Sequence, residues 1–73
     1  MYREQLGEKL RKARENAGYT QLQTVQNLNI NQSQLSKIES GAIEPNIETL
    51  GSLIDFYEVS ADWVLGTGIK KRE

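Results

Sequence analysis

The sequence predicts an all-α chain, a compact bundle of five short helices, and three observations carry that prediction. Polar residues suited to capping stand immediately before stretches with helical spacing, at Thr20, Asn31, Asn46 and Ser60. Apolar positions recur at three- and four-residue intervals, as in Leu6, Leu10, Ala13 and Ala17, or Ile47, Leu50, Leu53, Ile54 and Tyr57. Glycines follow several of these stretches, at Gly18, Gly41 and Gly66, where a helix can end in a left-handed residue. With 73 residues the chain makes one domain, over residues 1–66, near the lower limit for a core that stands without metal or disulfide.

Composition narrows the function. The chain has no Cys and no His, so it lacks zinc ligands of the usual kind, a thiol nucleophile and the commonest general base. No cofactor or metal is expected, and no enzyme activity. Asp55, Glu58 and Asp62 are close in sequence, but no nucleophile accompanies them, and such acids on a small bundle are usually just solvated. The longest apolar run, Trp63 to Leu65, is far too short to span a bilayer, and the opening MYREQLGEK has no apolar signal region. A cytoplasmic protein without membrane contact is the expectation. A net charge of −1 argues against indiscriminate coating of nucleic acid, although the charge is polarised along the chain. Residues 1–14 hold five bases against two acids, whereas residues 42–62 hold five acids and no base. The amino-terminal half could therefore face a polyanion with the carboxy-terminal half turned away.

The first helix runs from about Arg3 to Ala17, its exposed charges paired as Glu8 with Lys12 and Arg11 with Glu15. Arg14 lies beside the apolar stripe. Thr20 with Gln23, and Asn31 with Gln34, have the spacing of capping boxes, so two helix starts lie one short helix and a turn apart. The second helix spans about Gln21 to Leu28, with Val25 and Leu28 the clearest inward residues and Thr24 and Leu22 left open, and Asn29 stands where a tight turn could use a left-handed residue. The third spans about Gln32 to Ser40. On a wheel of about 100° per residue, its Leu35 and Ile38 point one way and Ser33, Ser36, Lys37 and Ser40 the other, with Gln32 on the margin. Such a face offers donors and acceptors without bulk, as a helix in a DNA major groove requires. It equally describes an ordinary solvated helix face, which is the commoner case. Glu39 flanks Leu35 and could meet Arg14 at the seam between the first and third helices.

Pro45 makes 42–45 a loop, Asn46 caps a fourth helix, and Ser60 caps a short fifth that ends at Gly66. Phe56 lies about 110° off the inward arc of the fourth helix, which makes it a candidate for a partner surface. Residues 67–73, with Lys70, Lys71 and Arg72, show no periodicity and are expected to form a flexible basic tail.

The pieces LGEKLRKARENAGYTQ, NIN, QSQLSKIESG, EPNIETL and VSADWVLG occur in order. Together they make the chain resemble the Xre family of helix-turn-helix DNA-binding domains, the fold of the Cro and cI repressors of lambdoid phages. The resemblance covers about residues 6–66 and implies a lambda repressor-like domain whose second and third helices form the helix-turn-helix. It implies that Gln21 bonds the phosphate backbone, that Gln32 and Ser33 reach base edges, and that Lys37 meets a base or a phosphate one turn on. It also implies that Arg14 and Glu39 form a buried ion pair. Thr24 and Val25, where the family often has Leu and Ala, and Asn29, where Gly is common, depart from the pattern.

The implied function is a sequence-specific transcriptional regulator, a repressor on a pseudo-palindromic operator of double-stranded DNA. The alternative is an antitoxin or another interaction module of the same fold, with a protein partner such as a toxin or an antirepressor. One recognition helix with a single base on its face supplies little binding energy, so a homodimer is expected, formed either in free solution or only on DNA. Phe56 and part of Trp63 are the expected dimer contact.

Overall fold

A computed structural model describes residues 2–66 as five helices: α1 (Tyr2–Ala17), α2 (Gln21–Gln26), α3 (Gln32–Ser40), α4 (Ile47–Tyr57) and α5 (Ala61–Leu65). The tail expected over 67–73 lies outside the described residues. Four helix starts are held by side chains. Thr20 and Asn31 form complete capping boxes with Gln23 and Gln34, while Asn46 and Ser60 accept from the backbone N–H of Thr49 and Trp63 at 2.8 and 3.3 Å.

α1 is the axis of the bundle. Its Leu6, Leu10 and Ala13 are buried against Leu35 and Ile38 of α3, Leu53 and Tyr57 of α4 and Val64 of α5. The approach of α1 to α3 is close enough to involve backbone. A methyl group on Gly7 would collide with the carbonyl oxygen of Ile38 and lie 2.7 Å from that of Glu39. At the far end of α3, Gly41 takes a left-handed conformation (φ 84°) and leaves no room for a side chain against Glu4.

Several expectations need correction. α2 ends at Gln26, two residues early, because Asn27 caps it with φ −106° and ψ 0°; Leu28 and Ile30 then pack on the core from the connection. Thr24, left open by the sequence, is the fully buried residue of α2, while Val25 packs on the core half-buried as expected; the Thr24 hydroxyl donates to the Thr20 carbonyl at 3.0 Å, so burial strands no donor. Asn29 does not adopt positive φ. The left-handed non-glycine among the described residues is Glu58, at φ 58°, which ends α4. Ala17 is exposed, and Ile47 is 84 % exposed although it falls on the inward arc of α4. Wheel arithmetic gives a direction but not a depth, and these residues sit at helix ends. Among the described residues, Arg11 and Glu15 pair at 3.1 Å, whereas Glu8 and Lys12 do not.

Candidate nucleic-acid interface

The outer face of α3 is built by subtraction: once Leu35 and Ile38 are committed to the core, Gln32, Ser33, Ser36, Lys37 and Ser40 remain exposed. The exposed Gln34 is spent on the helix start, its side-chain oxygen accepting from the Asn31 backbone N–H at 3.0 Å. Ser40 donates its hydroxyl to the Lys37 carbonyl at 3.1 Å and keeps its lone pairs outward. Ser33, Ser36 and Lys37 have no intramolecular side-chain partner among the described residues. This face therefore carries unsatisfied hydroxyl groups, one ammonium and one amide.

Behind it lies a polar spine. Arg14 grips Glu39 with two bonds, Nε to Oε2 at 2.7 Å and Nη2 to Oε1 at 3.1 Å, and its Nη1 donates to the Tyr19 carbonyl at 2.9 Å. The side chains are 12 % and 5 % exposed, so α1, the connection to α2 and α3 are tied at one desolvated point. The hydrogen bond to Glu39 pushes the Arg14 guanidinium above its ordinary range, against the opposing effect of burial. Gln21 extends this spine outward, its Nε2 donating to Glu39 Oε1 at 3.0 Å. Its own Oε1 accepts from Gln32 Nε2 at 3.5 Å. The Gln21 side chain thus lies between the ion pair and the outer face of α3, with one Nε2 hydrogen uncommitted.

Phe56 and Trp63 differ from each other. Phe56 stacks on Tyr19 with ring centres 4.6 Å apart and tilts against Tyr57 at 5.8 Å. It is half-buried and packs on the core, so it is not left over once the core is filled. A wheel for α4 alone could not show this, because Tyr19 reaches it from the connection before α2. Trp63 remains 39 % exposed. The Lys9 ammonium lies 5.0 Å from its ring centre and donates to its carbonyl at 3.0 Å, fastening α5 to α1.

Residue-by-residue sequence reading also missed Gly7, Tyr19 and the Tyr57 hydroxyl. The hydroxyl is buried without a hydrogen-bond partner among the described residues, next to the Thr24 side chain, whose proton goes to Thr20. Burial raises the phenol above its ordinary value. Among the described residues, no cluster of three or more acidic side chains could hold a metal ion, and no helix is long and apolar enough to cross a membrane.

Residues 7–67 match the family described as "Helix-turn-helix domain". The chain belongs to that family, as a domain of the Xre type. Its helix-turn-helix is α2 and α3, with the polar spine beneath the second of them. The domain is 43 % identical over 61 residues to the HTH-type transcriptional regulator ImmR of Bacillus subtilis (strain 168), a match covering 84 % of this chain and 48 % of that protein. It is also 37 % identical over 59 residues to the SPbeta prophage-derived uncharacterized HTH-type transcriptional regulator YonR of the same strain, covering 81 % and 55 %. The chain therefore spans about half the length of these curated relatives. No solved structure gave a significant match.

Proposed function

We propose that this helix-turn-helix domain is a sequence-specific DNA-binding transcriptional regulator, acting as a repressor on a pseudo-palindromic operator to which it binds as a dimer. The observation that carries the reading is the uncommitted polar face of α3, held rigidly by capping boxes at the starts of α2 and α3 and by the Arg14–Glu39 pair. Small polar side chains on a fixed helix can enter a major groove and meet base edges there. In this reading Gln32 and Ser33 contact bases and Lys37 a base or phosphate. Ser36 and Ser40 line the groove, and the remaining Nε2 hydrogen of Gln21 is available to the phosphate backbone.

Selection of bound sites from a random DNA pool, followed by titration of single variants, tests it. Gln32→Ala should lose about 1 to 3 kcal/mol on the selected site and relax the preference at one base pair, while Gln21→Ala should weaken all sites more evenly. Equal losses on selected and random DNA for Gln32→Ala would count against base reading.

A second reading, the same fold turned toward a protein partner such as a toxin or an antirepressor, is favoured by the apolar side chains exposed at Leu22 and Ile47. An antitoxin could also bind DNA, so the two readings overlap, and failure of any selected sequence to emerge from the pool would leave the protein-partner reading alone.

A further inference from the structure

The buried Arg14–Glu39 pair forms the floor of a shallow hollow whose rim is drawn from three helices: Arg11 of α1, Gln21 of α2, and Ser36 and Ser40 of α3. Arg11 reaches this rim because α1 comes so close to α3 at Gly7, which lies one turn earlier on the same flank of α1. A major groove about 12 Å wide admits one helix about 10 Å across. With α3 inside, α1 is left outside, and a rim residue of α1 meets the sugar–phosphate wall rather than a base edge. Within the hollow Arg14 and Glu39 neutralise each other, so Arg11 supplies its net charge.

Arg11 is already engaged, but weakly. Only its Nε reaches Glu15 Oε2, at 3.1 Å, and the two side chains are 61 % and 51 % exposed. Exposed pairs hold together poorly, and base before acid is the poorer order for residues four apart on a helix. Both terminal nitrogens of Arg11 stay open among the described residues. A phosphate offers that planar fork two oxygens at once and releases the counterions it carried. We propose that Arg11 exchanges Glu15 for a backbone phosphate when α3 enters the groove, which makes Glu15 a built-in competitor that weakens binding to every sequence alike. The proposal rests on the reading of α3 as the groove-entering helix. Because a phosphate carries no sequence, this contact changes affinity and salt dependence but not base preference.

Binding to the selected site and to random DNA of the same length is measured over a range of salt concentrations, for the unaltered protein, Arg11→Gln, Glu15→Gln and the double variant. Lys12→Gln and Glu8→Gln make the same charge changes on the flank of α1 turned toward α5, and serve as controls. All four side chains are exposed, so the variants should melt close to the unaltered protein. Arg11→Gln should weaken binding to both DNAs by the same factor, about three- to tenfold, and lower the slope of log affinity against log salt by about 0.9. Glu15→Gln should strengthen both by about two- to fivefold, and the double variant should lose that gain. Each control should shift binding by less than about twofold. An Arg11→Gln effect no larger than that of Lys12→Gln overturns the proposal, as does a Glu15→Gln gain that persists in full without Arg11. A loss confined to the selected site assigns Arg11 to a base and overturns it as well. If the unaltered protein binds neither DNA, the reading of α3 falls and the proposal with it, whereas binding that is intact but indifferent to both variants sinks the proposal alone.

Discussion

Arg14 spends three nitrogens on the fold, and its partner Glu39 is 5 % exposed, so neither charge has water to fall back on. Glu39→Ala should cost about 3 to 5 kcal/mol, because the guanidinium is left buried and uncompensated. Denaturant titration checks it, and a midpoint shift no larger than that of an exposed control such as Ser52→Ala would refute the coupling. Tyr57 is the opposite kind of residue, a buried hydroxyl beside the Thr24 side chain that makes no close hydrogen bond among the described residues. Its phenol is raised above the ordinary value of about 10, so between the two values the folded state holds a proton that the unfolded chain has released. The resulting contribution to stability is complete below about pH 10 and is lost as the pH rises through the raised value. Melting curves at successive pH values should show stability falling above about pH 10, with a smaller fall in Tyr57→Phe. At neutral pH the same variant should be unchanged or more stable by up to about 1 kcal/mol. A clear loss at neutral pH would mean that the hydroxyl is bonded after all.

Among the elements, α1 and α3 make the most extensive contact, and α2 is a short helix with little burial of its own. Gly7 illustrates the first. An alanine there would gain about 1 kcal/mol of helix propensity, yet its methyl group would meet two backbone carbonyls of α3 that cannot swing aside as a side chain could. Gly7→Ala should therefore destabilise by about 1 to 3 kcal/mol net; a gain in melting temperature would show that α1 and α3 can part without loss. α2 has six residues and one fully buried side chain, Thr24, and is held besides by half-buried Val25, its capping box and the Gln21–Glu39 bond. Its amides should exchange with solvent faster than those of α1 and α3. Equal protection across the three helices in a hydrogen-exchange experiment would contradict this.

At the scale of the whole molecule, the exposed face of α3 carries a single base, Lys37, and several nearby bases have partners: Arg14 with Glu39, Arg11 with Glu15 and Lys9 with Trp63. Affinity from one subunit should be modest, and salt dependence shallow for a DNA-binding domain. Two subunits would place their recognition helices about 34 Å apart, so an inverted repeat with half-site centres about 10 base pairs apart is expected. The proposed contact stays around α4 and α5, where the chain is acidic and Trp63 is exposed, with Phe56 contributing only its open edge. Sedimentation with operator DNA should show two subunits per site at saturation. One subunit per site would rule out the dimer.

Much of this protein is determined locally and was therefore legible without a structure. The capping boxes at Thr20 and Asn31 depend on residues three positions apart, so the starts of α2 and α3 follow from the sequence alone. The division of α3 into Leu35 and Ile38 against Gln32, Ser33, Ser36, Lys37 and Ser40 follows from helical periodicity in the same way. Arg14 and Glu39 could be placed on facing flanks, since both adjoin apolar stripes. Tertiary structure alone decided what depends on distance between elements. It set the close approach that admits only glycine at position 7, the covering of Phe56 by Tyr19, the exposure of Ile47 and the burial of Thr24 more deeply than Val25. It also decided that Gln21 faces Glu39 on one side and Gln32 on the other. A helical wheel records angles about one axis, whereas these outcomes depend on how near and how deep a second helix comes.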